Sequence, residues 1–209
     1  MNIDLRILEL AVSKICHDLI SPIGAVNNGL ELMEDEQDTV LQAEALALAQ
    51  RSARRASLLL QLFRSLFGNA GNQASFSAKE ARQMAVDFLQ GGKVTLETDF
   101  SSSVALPDGF GKLILAAIMV TAETLPRGGT VVASLRADIS PAQFKVVGNG
   151  PQIACSEDNL KALQLTLPVA DLTAHATLPY FTGLLAKRAG SVCQIDNKTA
   201  GQFGLIFSI

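Results

Sequence analysis

Apolar residues recur at alternating steps of three and four through the first part of the chain: Leu5, Leu8, Val12, Ile15, Leu19, Ile23, Val26, Leu30 and Met33. This is the stripe of an amphipathic helix, and its persistence over about four heptads points to a coiled coil or bundle. The acidic run "EDEQD" (34–38) interrupts it. A second stripe follows at Leu41, Ala45, Leu48, Ser52, Ala56, Leu59, Phe63 and Leu66, with Arg51, Arg54 and Arg55 crowding its polar side. The short turn between the two predicts an antiparallel helical hairpin. Two helices bury little surface alone, so a second copy of the chain is expected to complete a four-helix bundle in a homodimer. The stretch "GNAGNQAS" (68–75) reads as a linker. It separates a hairpin domain over 1–68 from a second domain over 76–209.

The remainder changes character. Helical patterns are predicted over 78–90, 110–125, about 157–164 and 173–190, the last with an irregular start and a glycine at its end. Alternating patterns over 93–98, 130–138 and 142–148, and a terminal pair "SVCQID" and "GQFGLIFSI", predict strands, mostly antiparallel. The fold class is therefore α+β: a helical hairpin followed by a two-layer α/β sandwich.

Composition narrows the function. Of 209 residues 48% are hydrophobic, and the mean hydropathy is +0.28, enough for a sizeable core and wrong for a disordered chain. A net charge of −3, no tryptophan and one tyrosine argue against nucleic acid as the partner. The start "MNIDLRILEL" is no signal peptide, and "LILAAIMVTAETL" is too short and interrupted to span a membrane. Three scattered cysteines, Cys16, Cys155 and Cys193, fit reduced thiols in a cytoplasm and make no metal-ligand spacing. Cys16 beside one histidine is not a zinc site.

Candidate chemistry concentrates in "HDLISPIG" (17–24). His17 falls about 160° to 200° from Ile15 and Leu19 around the helix, which puts it on the solvent side. Pro22 cannot donate to the Asp18 carbonyl and is expected to bend the helix there. Gly24 and Ala25 keep the following turn slim. Asp18 is the nearest group to orient or deprotonate the imidazole. Ser21, one turn on, could bind a phosphoryl oxygen or cap the freed carbonyl; backward bonding to the preceding turn is the commoner use of serine. His175 lies outside any motif and is assigned no role.

"HDLISPI" resembles the H-box of two-component histidine kinases: histidine, acid, hydrophobe, then Ser-Pro and a hydrophobe. The resemblance implies a histidine that carries a phosphoryl group on a dimerising hairpin, followed by an ATP-binding-like α/β domain. In that domain this sequence departs from the kinase pattern. "KLILAAIMVTAETLPRGG" has no asparagine to hold a metal. "GNGPQI" (148–153) stands where the family has an aspartate and a second glycine, putting Gly148 at the adenine-binding position. "YFTGLLAKRAG" retains only Gly183 of the phosphate-cradling loop.

A kinase-like shape without nucleotide binding resembles the dimeric ChpT-type histidine phosphotransferases of bacterial phosphorelays. The similarity includes "GLELMEDE", "LPRGG" and "PYFTGLLAKRAG". What it implies is a shuttle: His17 takes a phosphoryl group from the aspartate of one response-regulator receiver domain and passes it to another. Magnesium would be supplied by the receiver, with no cofactor in this chain. Receivers are expected to dock near Ile20, Gly24, Asn27 and Asn28, with Arg51, Arg54 and Arg55 steering an acidic partner. Two other readings stand beside this one: a divergent kinase or phosphatase that still binds ATP, and a dimeric scaffold that binds receivers without chemistry.

Overall fold

The computed structural model describes residues 5–35, 37–68, 76–100, 106–136, 141–197 and 199–209. Two long helices, α1 (Leu5–Asp35) and α2 (Thr39–Phe67), form the antiparallel hairpin. Asp38 caps α2, its carboxylate accepting from the Val40 amide at 2.7 Å and the Leu41 amide at 3.4 Å. This turns the acidic run into a helix start. The hairpin closes tightly at Gly29, where a β-carbon would meet the Ala45 carbonyl oxygen at 2.9 Å and the Ala49 methyl at 3.0 Å. α1 runs unbroken through the buried Pro22.

The hairpin stripes divide. On α2 the residues Ala45, Ala56, Leu59, Phe63 and Leu66 are buried, as their spacing predicts. On α1 the stripe expected to be core is largely bare in a single chain: Leu5, Leu8, Val12, Ile23 and Leu30 are all exposed, Leu5 by 65%. Only Lys14, Pro22 and Gly29 of α1 are buried. α2 packs against one side of α1, and these five stripe positions stay open among the described residues.

After residues 69–75, which lie outside the described residues along with most of the expected linker, the sandwich begins. Its helices are α3 (Ala78–Leu89), α4 (Phe110–Glu123), α5 (Glu157–Leu163) and α6 (Thr177–Arg188). Its strands are β1 (Val94–Asp99), β2 (Gly129–Arg136), β3 (Gln143–Asn149), β4 (Cys193–Asp196) and β5 (Gln202–Ser208), in sheet order β1-β2-β3-β5-β4. Ser77 and Glu80 form a reciprocal capping box at the start of α3. β1 and β2 pair in parallel, because α4 between them supplies the crossover; the other pairs are antiparallel. α6 ends at Gly190, whose φ of +70° is the left-handed turn a helix stop favours.

Alternate residues of the central strands, among them Val131, Ala133, Phe144, Val146, Leu205 and Phe207, are buried on one face beneath α4. α4 is buried from Phe110 to Ala122 apart from Lys112, which explains its nearly unbroken apolar sequence. The same core continues into Leu59, Leu62, Phe63 and Leu66 of α2. Phe67 meets Phe181 of α6 at 5.0 Å between ring centroids, and the Lys112 ammonium donates to the Gly68 carbonyl at 2.7 Å. The compositional break after Phe67 is therefore not a break in packing. A smaller cluster of Ala162, Leu167, Leu172 and Ala176 receives Ile7 and Leu10 of α1. Arg6 fixes that contact by donating to the Val169 and Leu172 carbonyls, each at 3.0 Å. Among the described residues no helix is long and apolar enough to cross a membrane.

Candidate functional site

His17 sits midway along α1 with 75% of its side chain open to solvent. Its Nδ1 lies 3.1 Å from Asp18 Oδ1. An ionised carboxylate only accepts hydrogen bonds, so in a neutral ring this contact favours the tautomer with its proton on Nδ1 and its lone pair on Nε2. The second carboxylate oxygen, Asp18 Oδ2, accepts from the Lys14 ammonium at 3.1 Å, one helical turn back. Lys14 is buried, 7% exposed, because Glu123 at the end of α4 approaches its ammonium at 3.2 Å. Burial alone would lower the Lys14 ammonium; the charges of Glu123 and Asp18 outweigh it and hold it above the ordinary lysine value. Burial raises the Glu123 carboxyl, against the pull of Lys14.

The C-terminal domain contributes a second ring. His175, in the turn before α6, stands edge-on to His17, with ring centroids 6.2 Å apart. It was assigned no role from the sequence because nothing local marks it. The 157 residues between the two histidines are closed by the packing of α1 on α6 and on the segment before it. Lys14 and Glu123 escaped notice for a related reason. On a helical wheel Lys14 is simply polar, and Glu123 is the one acid at the end of an apolar run.

A groove of about 680 Å³ opens beside His17, lined by Asp18, Ser21 and Pro22 from α1, Arg51 and Arg55 from α2, and Phe88 and Glu123 from the sandwich. Ser21 is exposed to it, and Ile20, Asn27 and Asn28 are exposed on the same helix. Ile20 is 70% exposed. A β-carbon at Gly24 would meet nothing within 4 Å, so that turn is slim and open. Arg54 is exposed, and Arg51 faces the groove. Arg55 is exposed and lines the groove as well, and it has a second attachment beside the steering role expected of it. Its guanidinium donates to the Phe88 carbonyl at 2.7 Å and lies 3.8 Å over the Phe88 ring, and burial lowers its pKa. It braces α2 against α3.

One departure from the kinase pattern, Gly148, lies in close packing. Gly148 faces α4, where a β-carbon would stand 3.0 Å from the Thr121 methyl and 3.4 Å from Leu125 Cδ1. Among the described residues no three His, Cys, Asp or Glu side chains converge to hold a metal ion.

Comparison with known proteins agrees with this geometry. Residues 78–201 match the model of the histidine phosphotransferase C-terminal domain. The protein phosphotransferase ChpT of Brucella abortus (strain 2308) is 34% identical over 182 residues, covering 87% of this chain and 85% of that protein. A solved bacterial phosphotransferase superposes with a TM-score of 0.84 at 32% identity, covering all of this chain and 98% of the other. An exposed imidazole paired with a carboxylate on a long hairpin, carried beside this sandwich, accords with that likeness: the chain belongs to the histidine phosphotransferase family, of the ChpT type.

Proposed function

We propose that His17 is the phosphoryl carrier of a phosphorelay, exchanging the group with the aspartates of response-regulator receiver domains without using ATP. The observation that supports this most is the exposed His17 ring with its Nδ1 beside Asp18, which leaves Nε2 as the nitrogen available for attack. Nε2 attacks the phosphorus of the receiver's phosphoaspartate in line. The P–N bond forms as the P–O bond to the aspartate breaks, and the receiver's carboxylate leaves with the electron pair. The Nδ1 proton stays in place, its charge offset by Asp18. Both phosphorylated forms are activated, so the reverse step loads the second receiver. The chain's contribution is positioning, with the divalent metal held on the receiver.

The receiver would settle over Ile20, Gly24, Asn27 and Asn28, with Ser21 inside reach of the transferred group and Arg51 and Arg54 at the rim. The bare apolar side of α1 supports a homodimer in which a second hairpin completes a four-helix bundle. The packed surroundings of Gly148 support loss of nucleotide binding.

Incubation with a labelled phosphoreceiver from the same cell tests the reading. Acid-labile label should appear on the wild-type chain and be absent from His17→Ala. Undiminished relay by His17→Ala would leave only a scaffold, and micromolar affinity for an ATP analogue would restore the kinase alternative.

A further inference from the structure

Between the C-terminal domain and the imidazole runs an unbroken series of polar contacts. Glu123 Oε1 lies 3.2 Å from Lys14 Nζ, Lys14 Nζ lies 3.1 Å from Asp18 Oδ2, and Asp18 Oδ1 lies 3.1 Å from His17 Nδ1. The first contact crosses from α4 to α1; the others run along α1. Both oxygens of Asp18 are engaged, one by Lys14 and one by His17. Nothing about helix geometry requires a buried lysine on this face. A lone lysine four residues before an aspartate would extend into water and hold its partner loosely. Here Lys14 is enclosed, 7% exposed, so its ammonium is kept beside both carboxylates and does not extend into water.

We infer that Lys14 and Glu123 are positioning residues, which hold Asp18 in the one orientation that keeps the proton of His17 on Nδ1 and leaves Nε2 free. The degenerate domain thereby sets the state of an imidazole that it does not need to phosphorylate. Glu123 anchors the ammonium, the ammonium anchors Asp18 Oδ2, and Oδ1 is left pointing at the ring. His175 touches the same ring from the same domain but through its edge, with no part in the series. The consequence for phosphotransfer rests on His17 being the carrier; the proton position does not.

The chain has two histidines, so nitrogen-15 spectra of the full-length protein labelled in its imidazoles contain two ring systems, and His17→Ala identifies which is which. Wild-type His17 should show a predominantly Nδ1-protonated ring. Lys14→Met should move it toward the Nε2-protonated form that free imidazole side chains prefer. Glu123→Ala should move it the same way by a smaller amount, and Lys14→Arg should restore it. Transfer from a phosphoreceiver should fall in Lys14→Met by about tenfold to a hundredfold, the worth of one charge-assisted hydrogen bond. Wild-type His17 spectra in both Lys14→Met and Glu123→Ala would overturn the inference, even where melting temperatures drop, because that result describes a brace. A shift in Lys14→Met with none in Glu123→Ala would overturn the link across the domains. Absence of transfer by the wild-type chain would remove the carrier reading and leave the spectra to decide the proton position.

Discussion

His175 meets His17 edge-on, with the ring planes inclined at 76° and the centroids 6.2 Å apart. An exposed imidazole on a helix would otherwise sample several rotamers, and in-line attack uses only those that aim Nε2 at the receiver. An edge-to-face contact between rings is worth about 0.5–1.5 kcal/mol. His175→Ala is therefore expected to slow transfer by about twofold to tenfold, and His175→Phe to keep most of the wild-type rate. Single-turnover transfer from a phosphoreceiver, measured on both variants, is the check. Equal rates in His175→Ala and the wild type would reduce the pair to incidental packing.

Restoring the aspartate of the kinase pattern should not restore nucleotide binding. At Gly148 a side chain would press on the Thr121 methyl and Leu125. The Thr121 hydroxyl on the same residue is itself buried without a hydrogen-bond partner, and one hydroxyl does not satisfy a carboxylate. Gly148→Asp is expected to lose about 2–4 kcal/mol of stability in urea unfolding, with no gain in heat on titration with an ATP analogue. Calorimetric binding by the variant would show that the pocket needs only its aspartate.

Arg51 and Arg55 are four residues apart and should behave differently. Removing the Arg55 guanidinium strips a hydrogen bond from the Phe88 carbonyl and a cation from the Phe88 ring. Arg55→Ala should cost about 1–2 kcal/mol of stability and leave receiver affinity near wild type. Arg51→Ala should keep the melting temperature, weaken receiver binding, and flatten its dependence on salt. The paired measurement is a thermal melt and a binding isotherm at two ionic strengths.

Local patterns revealed most of this architecture. Helix periods marked both hairpin helices and α3 through α6, and the motif around His17 marked the candidate site. What sequence order could not convey were contacts made by distant segments. The parallel pairing of β1 with β2 depends on α4 lying between them as a crossover. Arg55 looked like a surface charge because Phe88, 33 residues later, is what it lies on. Lys14, Glu123 and His175 come together through the seating of α1 on α4 and α6, and none carries a local signature. The α1 stripe teaches the complementary lesson: its apolar period is plain, but periodicity does not say whether the same chain or another one covers it.

Thiol reactivity should follow burial. Burial pushes the Cys155 thiol up to about 11 and Cys193 up to about 12, so almost none of either is thiolate at pH 8. Cys16 is exposed. Iodoacetamide at pH 8 should label Cys16 well before the other two, as read by peptide mass spectrometry. Because Cys16 immediately precedes His17, the adduct should also reduce receiver-dependent phosphorylation. Raising the pH toward 11 should bring Cys155 into the labelled set, since a raised thiol pKa delays thiolate formation until that range. Early labelling of Cys193 at pH 8 would mean that the β4 edge opens readily.

The bare stripe of α1 provides the sharpest test of assembly. Leu30 on α1 and Leu41 on α2 are each 47% exposed, on either side of the hairpin turn. Burying a leucine side chain contributes about 1.5–3 kcal/mol, and placing a carboxylate in an apolar seam adds a desolvation penalty to that loss. The double variant Leu30→Glu/Leu41→Glu is therefore expected to run as a single 22.1 kDa chain in light scattering, and the wild type at twice that mass. Its circular dichroism should stay helical, because Ala45, Ala49 and Gly29 still close the hairpin within each chain. A variant that kept the doubled mass would move the interface away from the turn. A wild-type chain that already ran at 22.1 kDa would remove the second hairpin proposed to cover the α1 stripe.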